Sequence, residues 1–189
     1  MNSFPISIGI AGIGNVGSEV VTQLTSHEEY NKSFILKAVS YKNKKKKRNS
    51  FPKNINFYSD ARKLAKDKQI DLVIELIGGA EGIAKDVCFT ALENKKHLIT
   101  ANKALIAEHG KELSLLSNKN SLYFGFEASV AGGVPVIKVI KESLISNKIS
   151  QITGIMNGTS NYLMDEIEKK SLDFDKVLKT AQDLGYAEK

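Results

Sequence analysis

Apolar residues in this chain gather in short unbroken runs, and the stretches between the runs repeat their apolar positions every three or four residues. Residues 6–12 (ISIGIAG) form a compact run ending in glycine, the pattern of a strand buried on both faces. The next stretch, NVGSEVVTQLTSHEEY, puts Val16, Val20, Val21 and Leu24 on one side of a helix, and residues 34–41 (FILKAVSY) give a second strand. DARKLAKDKQ is a short amphipathic helix with Ser59 or Asp60 available as its cap, and residues 71–79 (DLVIELIGG) are a third strand. AKDVCFTALENKK then reads as helix and residues 97–100 (HLIT) as strand. Residues 103–120 are helix with a break expected at Gly110, and residues 121–128 (SLYFGFEA) are a final strand.

The texture changes after Ala128. SVAGGVP is a glycine-rich loop, and Pro135 suits the first turn of a helix over residues 135–146. Residues 148–156 (KISQITGIM) alternate as a strand with one buried face. NGTSN then makes a polar turn into two helices, NYLMDEIEKK and FDKVLKTAQDLG. Strands alternating with helices predict an α/β fold: a Rossmann-like, doubly wound, mostly parallel sheet over residues 1–128, followed by part of an α+β domain over residues 129–189. One strand and two helices have little with which to cover themselves, so the second piece reads as unfinished.

Composition narrows the class. The 189 residues are 42% apolar and 25% charged, enough for one sizeable domain and part of another. The single cysteine, Cys88, lies on a helical stretch and reads as a buried side chain, and one cysteine excludes an internal disulfide. That usage, with no basic leader and no apolar run long enough to span a bilayer, predicts a soluble cytoplasmic protein without a membrane partner. The net charge of +6 is local: residues 41–50 (YKNKKKKRNS) carry five lysines and an arginine without an acid. This run has neither interleaved aromatics nor a recognition helix, so no nucleic-acid partner is expected. His27, His97 and His109 lie at no metal-ligand spacing, and neither H-E-x-x-H nor G-x-S-x-G occurs.

Gly12, Gly14 and Gly17 spell G-x-G-x-x-G between a predicted strand and a predicted helix. In that context Gly12 makes the tight turn, Gly14 admits a pyrophosphate to the backbone, and Gly17 lets helix and strand pack closely. An NAD site usually carries an acid at the end of the second strand, but here Ser40, Tyr41, Lys42 and Asn43 follow one another. The missing carboxylate and nearby cations suit the 2′-phosphate of NADP, with Ser40 and Lys42 nearest to it and NAD still admissible. Ligands of doubly wound sheets lie beyond the carboxyl ends of the strands. IGGAEG and TANK therefore belong beside the nicotinamide, with Lys103 at the mouth of the cleft.

GIGNVGSEV, ELIGG, TANKALI, FEASVAGGVPVI, GIMNGTSNYLM and LGYAE, in this order, resemble homoserine dehydrogenase along the whole chain. The resemblance implies NAD(P)H-dependent, reversible reduction of L-aspartate 4-semialdehyde to L-homoserine, a step toward threonine, methionine and isoleucine. It implies a cofactor site at Gly12, Ile13, Gly14, Asn15, Val16 and Gly17, with Gly78 and Thr100 near the nicotinamide and Lys103 near cofactor and substrate. It also implies a structural sodium ion at Glu127, Val130, Gly132 and Val134, substrate contacts from Gly158, Thr159 and Glu188, and a homodimer for the full-length enzyme. Backbone carbonyls are hard oxygen donors of the kind such a cation takes.

In the family a further aspartate and a second lysine, the usual candidate for proton donor, lie beyond the G-Y-x-E motif, and this sequence stops at Lys189. The chain is therefore expected to be an N-terminal portion that binds NADP weakly or not at all and turns over little or no substrate. An alternative is a non-catalytic nucleotide-binding module of the same fold. A further alternative, aspartate semialdehyde dehydrogenase, needs a thiol in the cleft, where mid-helix Cys88 does not lie.

Overall fold

The computed structural model describes residues 5–42, 51, 54–154, 158–184 and 187, apart from the side chain of Asn31. The elements run β1 (Ile6–Ala11), α1 (Asn15–Ser26), α2 (Glu28–Ser33), β2 (Phe34–Ser40), β3 (Asn56–Tyr58), α3 (Ala61–Lys66), β4 (Leu72–Glu75), α4 (Ile83–Glu93), β5 (His97–Thr100), α5 (Lys103–Lys119) and β6 (Phe124–Gly125). A 3-10 turn (Glu127–Ser129), the short α6 (Val136–Lys138), a π-helical turn (Val139–Ser143), α7 (Gly158–Lys170) and α8 (Phe174–Asp183) follow. The chain forms two compact units, Met1–Lys138 and Val139–Lys189.

In the first unit the strands pair in parallel in the order β3-β2-β1-β4-β5-β6. The order reverses between β1 and β4, so the chain leaves these neighbours in opposite directions and a crevice opens beyond their carboxyl ends. Successive side chains serve opposite faces. Ala38, Val73 and Leu98 pack with Leu64, Val87, Leu92, Leu105 and Leu113 from α3, α4 and α5. Ile8, Ile10, Val39 and Ile74 pack with Val21 of α1. Cys88 is buried in the first of these clusters, as its sequence context predicts.

Several boundaries differ from the sequence pattern. The predicted first helix ends at Ser26, and His27 is extended (φ −99°, ψ 115°) before α2 begins. Hydroxyls of Thr22, Thr25 and Ser26 bond back to the carbonyls of Ser18, Val21 and Thr22, which loosens the end of a helix. The expected break at Gly110 does not occur. Buried Leu105 and Leu113 clamp α5 on either side of the glycine and outweigh its cost of about 1 kcal/mol. β3, which carries no strong sequence signal, is recruited as an edge beside β2. The predicted strand over 121–128 keeps only Phe124–Gly125 in the ladder.

In the second unit α7 and α8 pack through Leu163, Val177 and Ala181. The helix expected over 135–146 is reduced to α6 and the π-helical turn, and residues 148–154 form no strand despite their alternation. A strand needs a neighbour for its backbone groups, and among the described residues of this unit there is none. Residues 141–154 are accordingly exposed throughout.

Candidate functional site

The carboxyl ends of β1, β2 and β4 enclose a cleft of about 350 Å³ lined by Gly12, Ile13, Gly14, Ser40, Tyr41, Lys42, Ser59, Ala61, Leu76, Ile77 and Ile83. The three glycines of the first turn have different surroundings. Gly12 has φ +100°, and a Cβ there would lie 2.5 Å from the Leu76 carbonyl oxygen, so only glycine lets the β1 turn pass against the end of β4. A Cβ on Gly17 would stand 2.1 Å from the Gly12 carbonyl oxygen, which sets the close approach of α1 to the turn. A Cβ on Gly14 would meet nothing within 4 Å, so this backbone is open to a ligand. Gly12 N–H donates to the Ser40 carbonyl (2.9 Å) and Leu76 N–H to that of Ala11 (2.7 Å), tying the three strand ends together.

Ser40 is buried at the end of β2 and Lys42 is exposed at the cleft. Tyr41 between them packs on Phe51 and Phe57, with ring centroids 6.1 and 4.7 Å away. No carboxylate lines this cleft among the described residues. Residues 43–50, the remainder of the basic run, lie outside the described residues. Asn15 and Val16 open α1; the Val16 side chain is exposed beside Val20, Leu24 and Tyr30 rather than packed inward as the helical pattern predicts.

A second set of groups joins the loops after β4 and β5. Glu75 is wholly buried at the last position of β4. Its Oε1 accepts from the Ile77 N–H (2.7 Å) and Gly78 N–H (3.3 Å), and its Oε2 accepts from the Thr100 hydroxyl (2.6 Å). Thr100 Oγ1 in turn accepts from Asn102 N–H (3.0 Å). The Asn102 side chain caps α5 by accepting from Leu105 N–H (3.1 Å) and donates to the Gly79 carbonyl (2.7 Å). Ser129 Oγ donates to the Thr100 carbonyl (2.8 Å). Thr100 thus fixes the loop backbone while its hydroxyl is committed to Glu75. Lys103, the first residue of α5, is exposed.

The sequence reading missed Glu75 and Asn102. A glutamate closing an otherwise apolar run (LVIE) and an asparagine directly before a helix were the signals available. Further along the loop, Glu81 lies 2.6 Å from His109 Nε2 and 3.1 Å from Lys85 Nζ, and these partners, His109 first, hold its carboxyl below the usual range. Burial, with the nearby Glu75 second, pushes the Cys88 thiol far up, which leaves it inert as a nucleophile.

The expected sodium ligands Glu127, Val130, Gly132 and Val134 fall in one turn, in which Ala131 and Gly133 take φ +50° and +85°. The Glu127 carboxylate accepts from Ile137 N–H (3.0 Å) and Lys138 N–H (2.9 Å) and so caps α6, while the Glu127 and Val134 carbonyls accept from Val130 N–H (3.1 Å) and Val136 N–H (2.8 Å). Gly158 and Thr159 form the first turn of α7 in the second unit, inside the helix rather than in a turn before it. Glu188 lies outside the described residues.

The strand order, the glycine turn and a cleft at the switch point define an α/β domain of the dinucleotide-binding class. The model of the homoserine dehydrogenase NAD binding domain matches residues 12–127, and that of homoserine dehydrogenase itself matches residues 135–189. The chain belongs to the homoserine dehydrogenase family. It is 41% identical over 189 residues to the homoserine dehydrogenase of Neisseria gonorrhoeae, with 97% of this chain and 43% of the relative covered. The crystal structure of a homoserine dehydrogenase from Thiobacillus denitrificans matches with a TM-score of 0.84 at 37% identity, over 97% of this chain and 43% of that one. A hyperthermophilic archaeal homoserine dehydrogenase in complex with NADPH shares the fold at a TM-score of 0.82 and 19% identity, over 98% of this chain and 63% of that one. The chain thus spans less than half the length of the first two.

Proposed function

We propose that this chain forms the cofactor-binding portion, residues 1–128, and the start of the catalytic portion, residues 129–189, of a cytoplasmic homoserine dehydrogenase. The reaction is reversible reduction of L-aspartate 4-semialdehyde to L-homoserine, in the supply of threonine, methionine and isoleucine. The observation that carries the reading is the open side of Gly14 within a cleft shared by the ends of β1, β2 and β4. There the N–H groups at the start of α1 receive the pyrophosphate, with Ile13, Asn15 and Val16 flanking it. Lys42 and Ser40, in a cleft wall without a carboxylate, favour the 2′-phosphate of NADP over NAD. The bound nicotinamide supplies the hydride.

Gly78 and Thr100 hold the backbone along the nicotinamide side. Lys103 offers positive charge where the substrate oxygen becomes an alkoxide. Gly158, Thr159 and Glu188 bind the substrate, Glu188 through its ammonium group. The carbonyls of Glu127, Val130, Gly132 and Val134 suit a sodium ion as hard donors. By the same resemblance the full-length enzyme is a homodimer, and its proton donor lies beyond the G-Y-x-E motif. The 189 residues alone are therefore expected to show little or no homoserine oxidation.

Amide NMR titration with millimolar NADPH and NADH tests the reading. Gly12, Gly14, Gly17 and Gly78 are expected to shift, at lower concentrations of NADPH than of NADH. Binding by these 189 residues is expected to be weak, so shifts that appear elsewhere while the glycine turn stays unmoved sink the cofactor assignment, and brisk homoserine oxidation by the chain sinks the assignment of the proton donor.

A further inference from the structure

Glu75 has the burial of a core residue and the chemistry of a site residue. A carboxylate wholly removed from water is costly unless its oxygens are fully met by donors. Here three donors meet it, two from the loop that follows β4 and one from Thr100, the last residue of β5. The bonds close a ring: Glu75 to Gly78, along the backbone to Gly79, across to the Asn102 side chain, from Asn102 N–H to Thr100, and from the Thr100 hydroxyl back to Glu75. Gly78 and Gly79 both have positive φ, and glycines of this kind leave a loop with much conformational freedom. The ring removes that freedom at the loop whose Ile77 lines the cleft, and it holds the start of α5, where Lys103 sits. A residue needed only to fill space at this buried strand position would be aliphatic, like Leu72, Val73 and Ile74 before it.

We propose that Glu75 is a positioning residue: through Thr100 and Asn102 it sets the backbone of Gly78 and Gly79, and the first turn of α5, for the nicotinamide half of the cofactor. The proposal rests on the cofactor reading above. Glu75→Gln keeps the shape but replaces one acceptor oxygen with a donor, so, whichever way the amide turns, either the Thr100 hydroxyl or the Ile77 and Gly78 N–H groups lose their acceptor. Thr100→Val removes the bond between Thr100 and Glu75 from the other side.

The test measures, for the unaltered chain and both variants, the affinity for NADPH and for 2′,5′-ADP, which lacks the nicotinamide half. It also follows hydrogen exchange of the Ile77, Gly78, Asn102 and Leu105 amides without nucleotide. Each variant is expected to lose about tenfold in NADPH affinity, with 2′,5′-ADP affinity within about twofold, the loss that follows from one charge-assisted hydrogen bond. The four amides are expected to exchange faster, while the Gly12 and Gly17 amides keep their rates. Equal losses for both nucleotides, or unchanged exchange at the four amides, overturn the proposal. Nucleotide binding by the unaltered chain away from the glycine turn sinks the cofactor reading instead, and where binding is too weak to rank the variants the exchange rates alone decide whether the ring positions the loops. If Glu75→Gln does not fold, Thr100→Val carries the same comparison.

Discussion

Gly14 and Gly17 stand three residues apart, and a single methyl group separates their roles. At Gly17 it would collide with the Gly12 backbone at 2.1 Å, so Gly17→Ala is expected to cost about 2–3 kcal/mol in urea unfolding, the scale of overpacking. At Gly14 the space is empty and the backbone is extended (φ −86°, ψ −153°), so Gly14→Ala should cost only about 0.5–1 kcal/mol, the difference between glycine and alanine at a helix N-cap. The methyl would stand where the pyrophosphate is expected, so the same variant should weaken NADPH binding at least about tenfold. A Gly14→Ala variant that binds as well as the unaltered chain contradicts the phosphate assignment. This pair was legible in the sequence because its spacing and its place between strand and helix are local. Glu75 was not, because its partner Thr100 is 25 positions away and nothing near LVIE names it.

At the scale of elements, α5 shows tertiary packing overruling a local preference. The glycine at 110 invited a break, and burial of Leu105 and Leu113 kept the helix whole. An alanine Cβ at 110 would approach Ile106 Cγ2 at 3.3 Å, a contact with a side chain of the same helix that can shift by tenths of an ångström. Gly110→Ala is therefore expected to stabilise the first unit by about 0.5 kcal/mol, the gain in helix propensity less the crowding. A lower midpoint in thermal unfolding contradicts this. Residues 148–154 show the reverse case: two-residue alternation is a property of the segment, but a strand is a property of a pair.

At the scale of the molecule, the two units differ in how much apolar surface each buries. The first has helices against its sheet and two large clusters, whereas the described core of the second is Leu163, Val177 and Ala181 with a few half-buried neighbours. Residues 141–154 are exposed, outside regular ladders, and carry Lys141 and Lys148. Brief trypsin treatment is expected to cut at Lys141 or Lys148 before any site within α3, α4 or α5, separating a first-unit fragment that ends at or before Lys148. NADPH should slow later cleavage of that fragment without slowing the first cuts. Initial cutting within α4 or α5 contradicts the picture.

The sequence by itself determined what short-range chemistry can encode: the alternation of strand and helix, the glycine turn after β1, the missing acid after β2, and the inertness expected of Cys88. Backbone sterics and side-chain period act over a few residues, so these features carry their own evidence. The tertiary structure alone decided which strands found partners, that α5 runs through Gly110, and that Glu75, Thr100 and Asn102 meet. Those outcomes depend on burial and on hydrogen bonds between distant segments. Such free energies exist only once the sheet has brought the segments together.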